Sequence, residues 1–159
     1  MADQGAYVKT GLSVKPDWID YNGHMNMAYY TVLFDACIDD VFESFGLGPE
    51  YVKQRGGSYY TLEMHVHYLR EVHLEDPIKV SLQLLDYDAK RCHYFQEMHH
   101  ETEGWLAATS EIMCMHVDMN LKKASPFPDD VLAGVEAMYE SHKHLPRSDR
   151  VGHVMGIKR

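Results

Sequence analysis

The sequence predicts one α+β domain in which an antiparallel sheet wraps around a single long central helix. Three observations lead there. From Met27 onward, Tyr30, Phe34, Cys37, Val41 and Phe45 recur three and four residues apart, and Leu33, Ile38 and Phe42 widen the stripe. After Gly56-Gly57 the apolar period drops to two and persists through four long runs separated by turn residues. The chain has 159 residues, 45% of them hydrophobic and 25% charged, enough for one well-filled core but not for two. A helix that is apolar over most of its surface needs cover on several sides, and four antiparallel strands supply it if the sheet curls. We assign residues 1–144 to this domain and 145–159 to a loose basic tail.

Taken in order, Val8 to Val14 is a short first strand stopped by Pro16. The central helix follows and ends at Gly46-Leu47-Gly48-Pro49. In the next run Tyr60, Leu62, Met64, Val66 and Tyr68 face one way, and Thr61, Glu63, His65 and His67 the other. Asp76-Pro77 opens a strand carrying Ile78, Val80, Leu82 and Leu84, and Asp86-Tyr87-Asp88-Ala89 turns it into another from Arg91 to Glu101. Glu101-Thr102-Glu103-Gly104 turns again into an apolar strand from Trp105 to Val117, rich enough to be central. Pro128-Asp129-Asp130 opens a last helix reaching about His142, with proline and carboxylates where a helix start favours them. Such a sheet leaves an edge strand bare, so a homodimer or homotetramer is the expected assembly.

The charge balance narrows the function. With 24 acidic and 15 basic side chains the net charge is −9, the wrong sign for a general nucleic-acid binder. A single anionic small molecule stays compatible, since its phosphates need only two or three local cations. Arg70, Lys90, Arg91, Lys122 and Lys123 are the candidates. No apolar run is long enough to span a bilayer, and the first residues lack a signal-peptide layout, so a cytoplasmic protein without membrane contact is expected. Cys37, Cys92 and Cys114 form no CxxC pair and sit in apolar segments, which reads as reduced core thiols. Neither a GxSxG elbow nor a glycine-rich phosphate loop is present.

Chemistry concentrates just before the central helix, in Asp17-Trp18-Ile19-Asp20-Tyr21-Asn22-Gly23-His24-Met25-Asn26-Met27-Ala28-Tyr29-Tyr30. Unpaired N–H groups at a helix start carry partial positive charge and polarise a carbonyl aimed at them. Asp20 would lie beside such a carbonyl, which makes a hydrolytic constellation. The same residues also fit a plainer role, with Asp20, Asn22 or Asn26 capping the helix. Spacing alone leaves both open.

The run Asp20-Tyr21-Asn22-Gly23-His24-Met25-Asn26-Met27-Ala28-Tyr29-Tyr30 resembles the signature of 4-hydroxybenzoyl-CoA-thioesterase-like hotdog-fold enzymes, usually D-x-x-G-H-V-N-N-A-x-Y. The likeness continues through His67-Tyr68-Leu69-Arg70 and Met115-His116-Val117-Asp118 to Pro126-Phe127-Pro128. It implies a cofactor-free acyl-CoA thioesterase with Asp20 as base or nucleophile and the Met27 amide polarising the carbonyl. His24, Asn26 and Tyr30 then shape the site. Two positions depart from the usual pattern: Met27 replaces the second Asn, and Glu71 replaces the Pro after Arg70. The second departure is expected to alter the strand edge. Within that family the chain is similar to the betainyl-CoA thioesterases of carnitine breakdown. A trimethylammonium head group accepts and donates no hydrogen bond and is held by aromatic faces, for which Trp18, Tyr21, Tyr29 and Tyr30 are candidates. Aromatic side chains at a helix start also pack against one another, the plainer reading.

Three other functions fit parts of the chain. His65-Val66-His67 with Glu71 has the HxHxxxE spacing of a cupin metal site, although the flanking glycines and second motif are missing, the long helix does not suit a jelly roll, and exposed-face histidines on a strand are the better account. A thioesterase for an aryl or other short-chain acyl-CoA shares the same signature. A non-catalytic acyl-CoA-binding module would bind without turnover.

Overall fold

The computed structural model describes residues 5–159. Strand β1 spans Tyr7–Ser13 and leads through a single 3-10 turn, Pro16–Trp18, to helix α1, Met27–Ser44. A short helix α2, Pro49–Arg55, precedes β2, Gly57–Tyr68. Then come β3, Pro77–Tyr87; β4, Arg91–His100; β5, Leu106–Asp118; the two-residue β6, Lys123–Ala124; and helix α3, Asp129–His142. The main sheet has the order β1-β3-β4-β5-β2 with every pairing antiparallel, and β6 extends the far end of β5. The α+β class and the order of the long elements are as the sequence predicts. Helix α2 and β6 are additions: Gly48-Pro49-Glu50 is not only the end of one helix but the start of another, with Pro in its first turn.

The core lies between α1 and the concave face of the sheet. Phe34, Cys37, Val41 and Phe42 are at most 2% exposed and meet Val80, Leu82, Cys92, Met98, Ile112 and Cys114. Polar side chains enter as well: Gln96 and Ser110, opposite each other on β4 and β5, are fully buried, and Gln96 Nε2 donates to the Phe34 carbonyl at 3.0 Å. The three cysteines are buried free thiols, as expected. Burial pushes the Cys37 thiol up to about 12, so it stays protonated.

Two β-bulges change what the alternation exposes. Thr61 opposes Cys114 but Glu63 opposes Met113, so Leu62 is an extra residue in β2. Tyr59 therefore faces in, stacked on Phe42 with centroids 4.0 Å apart, while Met64 and Val66 face in beyond the bulge. Tyr60 and Leu62, expected on the face of Met64 and Val66, are instead about half exposed. A second bulge at Leu85 lets both Leu84 and Leu85 be buried.

The tail is not loose over its first part. Arg147 Nη2 donates to the Leu85 carbonyl at 2.6 Å, and the Gly152 amide donates to Glu111 Oε2 at 2.8 Å. His153 then packs its ring on those of His65 and His67. Residues 145–153 thus cross the outer face from β3 to β2, and the tail projects away only after His153, with Val154, Met155 and Ile157 exposed.

Candidate active site

The approach to α1 is built by backbone contacts that leave its side chains free to act. The Asp20 amide donates to the His24 carbonyl at 3.1 Å, and the Gly23 amide returns to the Asp20 carbonyl at 3.0 Å. This tight turn needs the positive φ of 82° that Gly23 supplies. Asp20 Oδ1 accepts the Asn22 amide at 2.8 Å, which fixes the carboxyl and leaves Oδ2 outside that bond. The Met25 amide donates to the Val72 carbonyl at 2.8 Å and the Asn26 amide to the Trp18 carbonyl at 2.9 Å, so the loop is tied on both sides.

The two roles left open for the acidic and amide residues divide between them. Asn26 is the cap: its Oδ1 accepts the Ala28 amide at 3.0 Å. Asp20 is not, because its side chain turns back on Asn22. Met27 is the first residue of α1, so its N–H has no acceptor within the helix and points with the positive end of the dipole.

Beside this helix start is a cavity of about 270 Å³ walled by His24, Met25, Met27, Tyr30, Tyr68, Leu69, Arg70 and Glu71. Tyr68 donates its hydroxyl to the Met27 carbonyl at 3.2 Å and meets Tyr30 edge to face at 5.1 Å, so two rings form one corner. Burial raises the pKa of both phenols above the usual value and keeps them neutral. His24 lies with Nδ1 3.4 Å from the Met25 carbonyl and Nε2 3.7 Å from Glu71 Oε2.

The structure brings His24, Met27, Tyr30 and Arg70 to this cavity, while Asp20, whose amide donates to the His24 carbonyl, and Asn26, the helix cap, are not among its walls. The four-ring cage does not form within the chain. Tyr21 is 98% exposed. Trp18 and Tyr29 stack on each other, centroids 5.4 Å apart and planes 13° from parallel, which leaves no gap for a ligand between them. Lys15 Nζ lies 5.3 Å from the Trp18 ring. Only Tyr30 lines the cavity, and its aromatic neighbour is Tyr68, which the sequence offered only as part of a strand motif. Glu71 is a cavity wall and not merely a strand edge.

The HxHxxxE spacing is divided by the fold. His65 and His67 lie on the outer face with ring centroids 4.7 Å apart, whereas Glu71 faces His24 and His73. Among the described residues no cluster of His, Cys, Asp and Glu is arranged to hold a metal ion. Of the proposed phosphate partners, Arg70 stacks its guanidinium 4.1 Å from the Trp105 ring centroid. Arg91 Nε donates to Asp88 Oδ2 at 2.7 Å, a partner that holds that guanidinium in the β3–β4 hairpin.

Residues 14–135 match the thioesterase-like superfamily. The chain belongs to that superfamily. Betainyl-CoA thioesterase of Pseudomonas aeruginosa is 38% identical over 144 residues, covering 91% of each chain. The L-carnitine dehydrogenase/betainyl-CoA thioesterase of Rhizobium meliloti is also 38% identical, over 92% of this thioesterase-like chain but only 29% of that longer protein. Among solved structures, a Staphylococcus aureus protein in complex with CoA superposes with a TM-score of 0.90 at 29% identity, covering 97% of this chain and 96% of that one. A putative thioesterase of Pseudomonas putida gives a TM-score of 0.80 at 29% identity, again over 97% and 96%. The curled sheet and central helix are therefore those of the thioesterase-like fold, and no helix among the described residues is long and apolar enough to cross a membrane.

Proposed function

We propose that this chain hydrolyses an acyl-CoA thioester and that its substrate is betainyl-CoA, giving betaine and free CoA. The observation that carries the reading is the 38% identity over 91% of both chains to a betainyl-CoA thioesterase. The site supports it chemically. The Met27 N–H at the start of α1 receives the thioester oxygen and stabilises the negative charge that develops there. Asp20, fixed by Asn22, either takes a proton from the water that attacks the carbonyl carbon, or attacks that carbon itself through Oδ2 to give an anhydride that a water molecule then opens; in both routes CoA leaves as the thiolate. Solvent oxygen-18 tests the nucleophilic route: label in the Asp20 carboxylate after a single turnover requires an anhydride opened by water at the aspartyl carbon.

Strand β2 is an edge of the sheet, with Tyr60, Leu62 and Tyr68 exposed beside its unpaired backbone. That edge supports assembly with a second copy as a homodimer or tetramer, with each site completed across the contact. Sedimentation at assay concentration tests it, and an active monomer refutes it. For the activity, Asp20→Asn keeps the shape of the side chain and is expected to fold normally with turnover lowered at least ~10²-fold. Hydrolysis at the normal rate removes Asp20 from the mechanism. Tight binding of acyl-CoA by the unmodified protein without turnover replaces the enzyme by a binding module.

A further inference from the structure

We propose that Glu71 selects the acyl group: it is the counter-charge that makes the cavity beside α1 prefer a cationic head group over a neutral one of equal shape. This rests on the thioester-hydrolase reading above and names how that site tells its substrate apart. Of the residues walling the cavity, Glu71 is the only carboxylate, and Asp20 is not among them. Its ionic neighbours among the described residues are two imidazoles, His24 Nε2 at 3.7 Å and His73 Nε2 at 3.5 Å, both beyond hydrogen-bond length. An imidazole is a counter-charge only when protonated, unlike Lys or Arg. Arg70 also lines the cavity, but its guanidinium is stacked 4.1 Å from the Trp105 ring centroid and makes no ion pair with Glu71 among the described residues. The Glu71 side chain is 58% exposed, so it can turn toward a ligand without breaking a buried contact.

The other walls suit a quaternary ammonium. Tyr30 and Tyr68 meet at right angles, 89° between planes, and Met25 and Met27 add polarisable apolar surface. A trimethylammonium group cannot donate a hydrogen bond, so it needs aromatic and thioether surface around its methyls and a negative charge within several ångströms. Glu71 supplies that charge. Trp18, Tyr21 and Tyr29 are not among the walls: Trp18 and Tyr29 stack on each other and Tyr21 faces solvent.

The test compares betainyl-CoA with 3,3-dimethylbutanoyl-CoA, in which carbon replaces the quaternary nitrogen, on the unmodified protein and on Glu71→Gln. The unmodified protein is expected to favour the cationic thioester. Glu71→Gln is expected to cut that preference about 3- to 5-fold, the upper range for one exposed charge pair, through a higher KM for betainyl-CoA, with the neutral thioester changed less than about 1.5-fold. Glu71→Lys should reverse the preference. Calorimetric affinities of both thioesters, measured in the Asp20→Asn background with and without Glu71→Gln, read the same ratio without turnover. An unchanged ratio in Glu71→Gln overturns the role of Glu71. If the unmodified protein hydrolyses neither thioester, the betainyl-CoA reading fails while the affinity ratio still judges Glu71.

Discussion

Asn26 sits where structure and chemistry can be separated by a single atom. Its Oδ1 caps α1 through the Ala28 amide at 3.0 Å, and the next residue presents the amide proposed to hold the developing oxyanion. Removing the cap in Asn26→Ala leaves one helix donor without its partner, and such losses cost about 1 kcal/mol. For a chain of this size that lowers Tm by about 2–4 °C. Asn26→Asp keeps an acceptor in the same place and adds a charge that the helix start favours by about 0.3–1 kcal/mol, so its stability should match or exceed the parent's. Its activity should not. A carboxylate about 5 Å from a developing oxyanion, at an effective dielectric near 20, repels it by ~3 kcal/mol, which is roughly 10²-fold in kcat. The assay pairs urea unfolding with steady-state hydrolysis for both variants. An Asn26→Asp protein with full kcat refutes the placement of the oxyanion at the Met27 amide, and an Asn26→Ala protein of unaltered stability refutes the cap.

Gly57→Ala should cost about 1–3 kcal/mol, because an added Cβ would stand 2.6 Å from Tyr51 Cε1 and 2.8 Å from His116 Nε2, prising apart the 2.8 Å Tyr51–His116 hydrogen bond; thermal melts that overlay refute it. Acidification should weaken the fold. Burial lowers the pKa of His67, His99 and His142, and His142 Nδ1 accepts the Leu84 amide at 2.9 Å, so the folded state holds these rings neutral. The unfolded chain then binds more protons below about 6.5, and stability present above that pH falls as pH drops toward the lowered values. Urea midpoints that rise between pH 7 and pH 5 contradict this. Replacing His142 by Gln should flatten that pH dependence, since an uncharged side chain takes up no proton; an equally steep profile places the effect elsewhere.

The residues that could be read in sequence are those whose neighbours are close along the chain. Helix α1 is legible because its stripe repeats every turn, and the helix-start cluster because Asp20 to Tyr30 is one continuous segment. What was not legible depended on distant partners or on one inserted residue. Leu62 looks like any other apolar position of β2 until Cys114 and Met113 show that it has no opposite number. The orientation of Trp18 is set by Tyr29 and Lys15, and no spacing states that two rings will face each other instead of a ligand. Glu71 joins the cavity because the Val72 carbonyl receives the Met25 amide, a contact between segments far apart in sequence. His153 reads as tail until Glu111 anchors its neighbour Gly152.

The walls of the cavity come from residues 24–30 and 68–71, joined by the Tyr68 hydroxyl on the Met27 carbonyl across 41 positions. Neither segment can hold its place until β2 has paired along β5, the sheet contact of longest reach for that strand. Non-local pairing is the slow part of assembling such a chain. Helix α1, whose contacts are local, can form on its own timescale well before then. During refolding, helical signal should therefore return ahead of ligand binding, and binding should appear together with the protection of β2 amides from exchange. A binding pocket of this kind is a reporter of the completed sheet.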